Sequence, residues 1–203
     1  MGGLLVTMRI AVISIFFSIT LGIIFGIIMT SKNKLIYIIS KVYLEIIRIM
    51  PILVLLFIFY YGFFQNLGAQ LVTILVFSLW GIAEMGDLVR SAILSLPISQ
   101  RQSAEALGLN NFQIYRYVII PQAFRRILPS SINLATRIIK TTPLATIISV
   151  VEVVKVGQQI VSMSYISNPN AYFWVFIFIF FLYFIICYPL SLFSRALEKK
   201  WQA

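Results

Sequence analysis

Residues 4–29 are a nearly unbroken apolar run, with Arg9 as its only charge. A bilayer's hydrocarbon core takes about 20 apolar residues per helix, and the apolar part of a signal peptide about 7–15. The run is therefore expected to be a retained span rather than a cleaved leader. Four more runs of similar character follow, at about residues 43–64, 70–96, 128–151 and 172–193. Backbone groups in lipid must find partners within the structure, so unbroken runs of this length imply helices. The chain reads as an all-α integral membrane protein of five transmembrane helices, one transmembrane domain over residues 1–203. Aromatics at the rims of the last run, Tyr172-Phe173-Trp174 and Tyr188, suit the membrane interface.

Composition bears on this at two points. Of 203 residues, 61% are hydrophobic and only 11% charged, which excludes disorder and an ordinary soluble domain. The net charge of +10 could suggest nucleic acid, but its distribution says otherwise. One set of connecting segments holds Lys32, Lys34, Lys41, Arg101, Arg116, Arg125, Arg126, Arg195, Lys199 and Lys200; the other holds Arg9 and Lys155. The positive-inside rule puts the C-terminus in the cytoplasm and the N-terminus outside, with membrane lipid and not nucleic acid as the charge's partner. With no histidine and a single cysteine, Cys187, there is neither a disulfide nor a Cys/His metal site, and Cys187 reads as apolar packing.

The insert at about residues 97–127, on the basic side, is helix-like and bounded by prolines. Leu107, Phe112, Tyr115 and Ile119 recur at helical spacing, and Gly108-Leu109-Asn110-Asn111 reads as a helix end and turn. Two short helices around a turn fit, either as a docking element or as a loop tucking its apolar side onto the bilayer.

The residues here resemble a known family. Ser99-Gln100-Arg101-Gln102-Ser103-Ala104-Glu105-Ala106-Leu107-Gly108-Leu109, then Ile120-Pro121-Gln122-Ala123-Phe124-Arg125 and Leu128-Pro129, is similar to the cytoplasmic EAA-type loop of ABC importer permeases, in particular those of bacterial polar amino acid uptake. Anchored on Gly108, the EAA triplet falls on Gln102-Ser103-Ala104, so a glutamine replaces the motif's glutamate. Tyr43 through Leu53, Asp87 through Ile93, Asn133 through Leu144 and Glu152 resemble further segments of that family in the same order. The resemblance implies a type I ABC importer permease working as a dimer with a second permease, identical or related, in the bacterial cytoplasmic membrane. It implies a cytoplasmic ATPase dimer that carries ATP and Mg, so that this chain binds no cofactor. It implies an external solute-binding protein that delivers an amino acid, and a coupling loop of Gln102, Ser103, Ala104, Gly108, Leu109, Phe112 and Tyr115. An apolar and aromatic short helix suits docking into a partner's groove.

Ionisable residues within spans cost about 2.5–3.5 kcal/mol each on insertion scales and call for a reason. The third span carries Glu84, Asp87 and Arg90, with Ser91 one turn after Asp87; Asp87 and Arg90 are spaced to pair along the helix. The fourth carries Asn133, Arg137, Lys140 and Thr141 as one polar stripe. At about 1.5 Å per residue, Glu84, Arg137 and Lys140 lie at similar depths, roughly 12–17 Å from the cytoplasmic end. Two readings stand: an ion-pair network joining the spans, or pathway walls touching a zwitterion, with Glu84 the sharper candidate for direct contact. An acidic wall favours a cationic or zwitterionic amino acid over an acidic one.

Smaller features complete the pattern. Gly22-x-x-x-Gly26 reads as helix packing within the chain. Pro51 and Pro143 are placed to break or kink their helices. Residues 152–171 are too polar to span and read as a short external helix forming part of a gate, or as the surface that faces the binding protein. A self-sufficient secondary or proton-coupled amino acid carrier using Glu84 and Asp87 is the rival reading, against which stands the lack of an inverted repeat. The sequence has no GxxxxGK[ST] phosphate loop and no Ser/His or Cys/His pair, which speaks against an ATPase or other enzyme.

Overall fold

The computed structural model describes residues 2–31, 33–164 and 170–202; Lys32, counted above among the basic-side charges, and residues 165–169 of the outer segment lie outside them. The described residues are helical almost throughout: α1 (Gly2–Ile28), α2 (Lys34–Ile49), α3 (Ile52–Phe57), α4 (Ala69–Leu94), α5 (Ile98–Ala106), α6 (Asn111–Ile114), α7 (Ile120–Thr141), α8 (Val153–Ser164) and α9 (Ala171–Gln202).

Three of these, α1, α4 and α9, are long and apolar enough to cross a membrane by themselves, and the number reaches five when each of two bent pairs counts as one span. The second span is not one helix over residues 43–64. Asn33 caps α2 through its side chain, and α2 ends where Met50 turns extended before Pro51. Proline lacks a backbone donor and excludes its predecessor from the helical region, so the chain turns by 100° and restarts as α3. A π-helical segment, Ile58–Phe63, continues α3.

The fourth span also differs from the expected 128–151. Asn110 and Gln113 form a capping box that starts α6, and a π-helical turn, Tyr115–Ile119, leads directly into α7. Pro129 therefore sits inside α7 rather than closing the insert, and the second short helix of the loop is the foot of a long one. Ser194 on α9 donates to the Pro129 carbonyl at 2.9 Å, tying the two helices at the irregularity. At the other end Pro143 opens a tighter 3-10 segment, Thr142–Ile148, which Ser149 ends in the left-handed region. The expected break at each proline is thus present. The segment that follows is helical in part, as α8 over Val153–Ser164, and it is the second half of the other bent pair, turned by 53° from the helix before it.

The centre of the fold is α1 against α4. The buried residues of α1 are Gly3, Thr7, Ile10, Ala11, Ser14, Ser18, Gly22 and Gly26, a stripe of mostly small side chains that lets backbones approach closely. A Cβ on Gly26 would come within 2.5 Å of Val89 Cβ and 2.6 Å of the Gly86 carbonyl, whereas one on Gly62 would meet nothing within 4 Å. Gly26→Val should therefore lower the melting temperature of the detergent-purified protein, with an overpacking cost of about 1–3 kcal/mol, while Gly62→Val leaves it nearly unchanged. α7 packs on α4 and α9, and α8 packs on α1 and α9. In α9 only 11% of the most apolar window is buried in the chain, so its aromatic sides face lipid or another chain.

Candidate functional site

Charged side chains converge where α2, α4 and α7 meet. Glu84 is the hub. Its Oε2 accepts from Arg137 Nη2 on α7 at 2.5 Å, and its Oε1 lies 3.6 Å from Arg48 Nε on α2. Arg48 Nη1 donates in turn to Asp87 Oδ2 at 2.7 Å. Arg137 also stacks over the Trp80 ring, 5.5 Å from its centroid. Two arginines and two carboxylates thus form a neutral chain linking three helices. The Glu84 side chain is 16% exposed, whereas those of Arg48 and Arg137 are 45% and 53% exposed. The acids are held inward and the guanidinium groups open outward.

This arrangement corrects the expected pairing of Asp87 with Arg90. Asp87 bonds Arg48 across helices, while Arg90 lies over the Tyr37 ring at 5.7 Å, with its Nε buried and without a hydrogen-bond partner among the described residues. The polar stripe on α7 also divides. Arg137 joins Glu84, and Thr141 donates to the Arg137 carbonyl at 2.8 Å. Lys140 borders a groove against α9 instead. Ser91 and Asn133 are exposed and take no part in the network's hydrogen bonds. Arg48 is the member that sequence reasoning missed as a site residue. The available signal was a basic residue three positions before the chain-turning Pro51.

Glu152 is a second omission. It is fully buried at the start of α8, where its Oε1 accepts from Thr146 Oγ1 and from the Lys155 amide, both at 2.8 Å. It ties the end of the 3-10 segment to α8. Thr7 on α1 accepts from the next amide, Val153 N, at 3.1 Å, fastening the same corner to the first helix.

The loop that holds α5 and α6 is built for stiffness. α5 ends where Gly108, at φ 79°, reverses the chain, and the Leu109 amide returns to the Ala104 carbonyl at 3.2 Å. Arg101 donates from Nε to Glu105 at 2.8 Å and from Nη2 to Asn111 at 3.0 Å, bridging α5 to α6. The hydrogen bond to Glu105 raises the Arg101 guanidinium above its usual pKa. Gln102 and Ser103 are exposed, and Ala104 is buried with Ile114 and Ile119. Leu107 and Phe112 project outward, 81% and 77% exposed, while Leu109 and Tyr115 are more sheltered. At the base of the loop Arg126 donates to the Ser95 carbonyl and hydroxyl at 3.0 and 2.6 Å, locking α7 to the end of α4. The loop is thereby fixed to α4 and α7, two of the three helices that carry the charge network.

Similarity to known proteins runs along most of the chain. The L-cystine transport system permease protein TcyB of Bacillus subtilis is 31% identical, over 98% of this chain and 85% of its own length. The nopaline transport system permease protein NocM of Agrobacterium fabrum is 31% identical, over 78% of this chain and 71% of its own length. The crystal structure of an amino acid ABC transporter with histidines superimposes with a TM-score of 0.87 at 25% identity, covering 98% of this chain and 92% of that one. The fold is that of a type I importer permease, and the likeness favours a transport-system component over a self-sufficient carrier. Residues 18–203 match the family of inner membrane components of binding-protein-dependent transport systems, and the chain belongs to that family.

Proposed function

We propose that this chain is the permease subunit of an ATP-driven importer of a polar amino acid. The similarity to an L-cystine permease and to an amino acid transporter supports the solute class. The observation that carries the coupling mechanism is the stiff loop with Leu107 and Phe112 projecting from it. An exposed aromatic on a short, capped helix is the kind of anchor that fills a partner's pocket.

In this reading residues 1–203 act as one transmembrane domain and the loop over about 97–127 docks on a cytoplasmic ATPase dimer. ATP and Mg reside on that partner, and this chain binds no cofactor. A binding protein outside delivers the amino acid. A second permease copy, this chain or a related one, covers the open guanidinium side of the network and completes the pathway. The N-terminus lies outside and the C-terminus inside, an orientation that the distribution of Lys and Arg supports. Glu84, Asp87, Ser91, Asn133, Arg137, Lys140 and Thr141 then line or brace the route. With Glu84 and Asp87 already engaged by arginines, bracing suits both better than proton coupling or direct contact with the solute's amine.

Co-expression with the cognate ATPase tests this. The wild-type chain should retain the ATPase through detergent purification, and Phe112→Asp should release it without loss of the permease. An ATPase retained equally by both would contradict docking through this loop.

A further inference from the structure

We propose that Lys140 receives the carboxylate of the transported solute, in a groove between α7 and α9; this rests on the amino acid reading above. The groove has a volume of about 370 Å³, within the range of small-ligand sites. Its α9 wall includes Phe180, Phe184, Cys187, Ser191 and Arg195, which repeat at i, i+4, i+7, i+11 and i+15 and so form one helical stripe. The stripe runs about 22 Å along α9 at 1.5 Å per residue.

Lys140 is exposed, and among the described residues no carboxylate lies within ion-pair distance of it. It stands about 17 Å along α7 from Pro129, one residue before the helix ends. An ionisable side chain within a membrane-spanning helix faces a bundle interior or a water-filled cavity rather than lipid. Arg137 is already neutralised by Glu84, so Lys140 is the cation on the α7 stripe with charge left to offer. Among the described residues no acid lines the groove, so it offers nothing to an ammonium. A zwitterion would enter by its carboxylate, with Arg195 marking a continuation of the route toward the end of α9.

The test uses proteoliposomes of the complete complex and radiolabelled L-amino acids. Lys140→Met should lower uptake at least about tenfold, the effect of losing one charge-assisted hydrogen bond, while ATP hydrolysis stimulated by the binding protein persists. Lys140→Arg should keep most of the uptake. With Cys187→Ala as background, Lys140→Cys should react with water-borne methanethiosulfonates, and Ser191→Cys, which lines the same groove and keeps Lys140, should react more slowly when the transported amino acid is present. On Lys140→Cys, aminoethyl methanethiosulfonate, which restores a cation, should recover uptake; the sulfonatoethyl reagent should not. Wild-type uptake in Lys140→Met, an unreactive thiol in Lys140→Cys, or labelling of Ser191→Cys indifferent to the amino acid would overturn the proposal, the last two pointing to lipid, a second copy or a bare aqueous surface at this groove. A wild-type complex that took up no amino acid would instead defeat the functional reading beneath it.

Discussion

Glu84→Gln is expected to destabilise the protein rather than merely to slow transport. Removing the charge leaves Arg137 without its carboxylate and Arg48 with Asp87 alone. Breaking a fully buried pair costs about 3–5 kcal/mol; with both guanidinium groups half-exposed and screened, about 2 kcal/mol is the fitting figure. The melting temperature in detergent should fall and less protein should accumulate. Glu84→Gln combined with Arg137→Gln should recover part of the loss, a coupling of about 1–2 kcal/mol in a double-mutant cycle. Additive losses in that cycle would mean that the 2.5 Å contact does not hold α4 to α7.

The second large effect concerns the loop. Phe112→Asp places a charge at a 77%-exposed aromatic, so the permease itself should keep its stability. An anchor of this kind carries about 2 kcal/mol or more of binding, so ATPase affinity should drop roughly thirtyfold and uptake with it. Gly108→Val acts through the backbone. A β-branched residue at φ 79° is strained by about 1–2 kcal/mol, which should rotate α6 away from its bridge to Arg101. Both variants should lose the stimulation of ATP hydrolysis by the binding protein. Retained stimulation in both would show that the loop is not the lever.

Much of the fold was legible because lipid imposes a simple rule on apolar runs. Residues 4–29 and 70–96 correspond to α1 and α4 within a few residues. Hydropathy failed where the backbone, not the side chains, decided. Residues 43–64 are continuous in hydropathy but broken at Pro51, whereas α7 begins in the polar segment and runs on through Pro129, where Ser194 holds α9 against it. The site was legible as a set of charges but not as a set of partners. Spacing along α4 suggested Asp87 with Arg90; the partner was Arg48, from a helix whose angle depends on the bend. Likewise Arg137 and Lys140, three residues apart, face different neighbours, which only the packing of α4 and α9 reveals. Glu105 was legible as lying outside the loop's motif, yet its pairing with Arg101 helps supply the stiffness of a loop in which Gln102 replaces the motif acid.

The most direct test of the central claim is amino acid uptake by proteoliposomes that hold this chain, its ATPase and its binding protein, compared with the same vesicles carrying an ATPase unable to hydrolyse ATP. Uptake should require ATP hydrolysis, the binding protein and an intact Phe112. Accumulation that persists with the inactive ATPase, or with this chain alone, would contradict an ATP-driven permease and return the protein to the class of self-sufficient carriers.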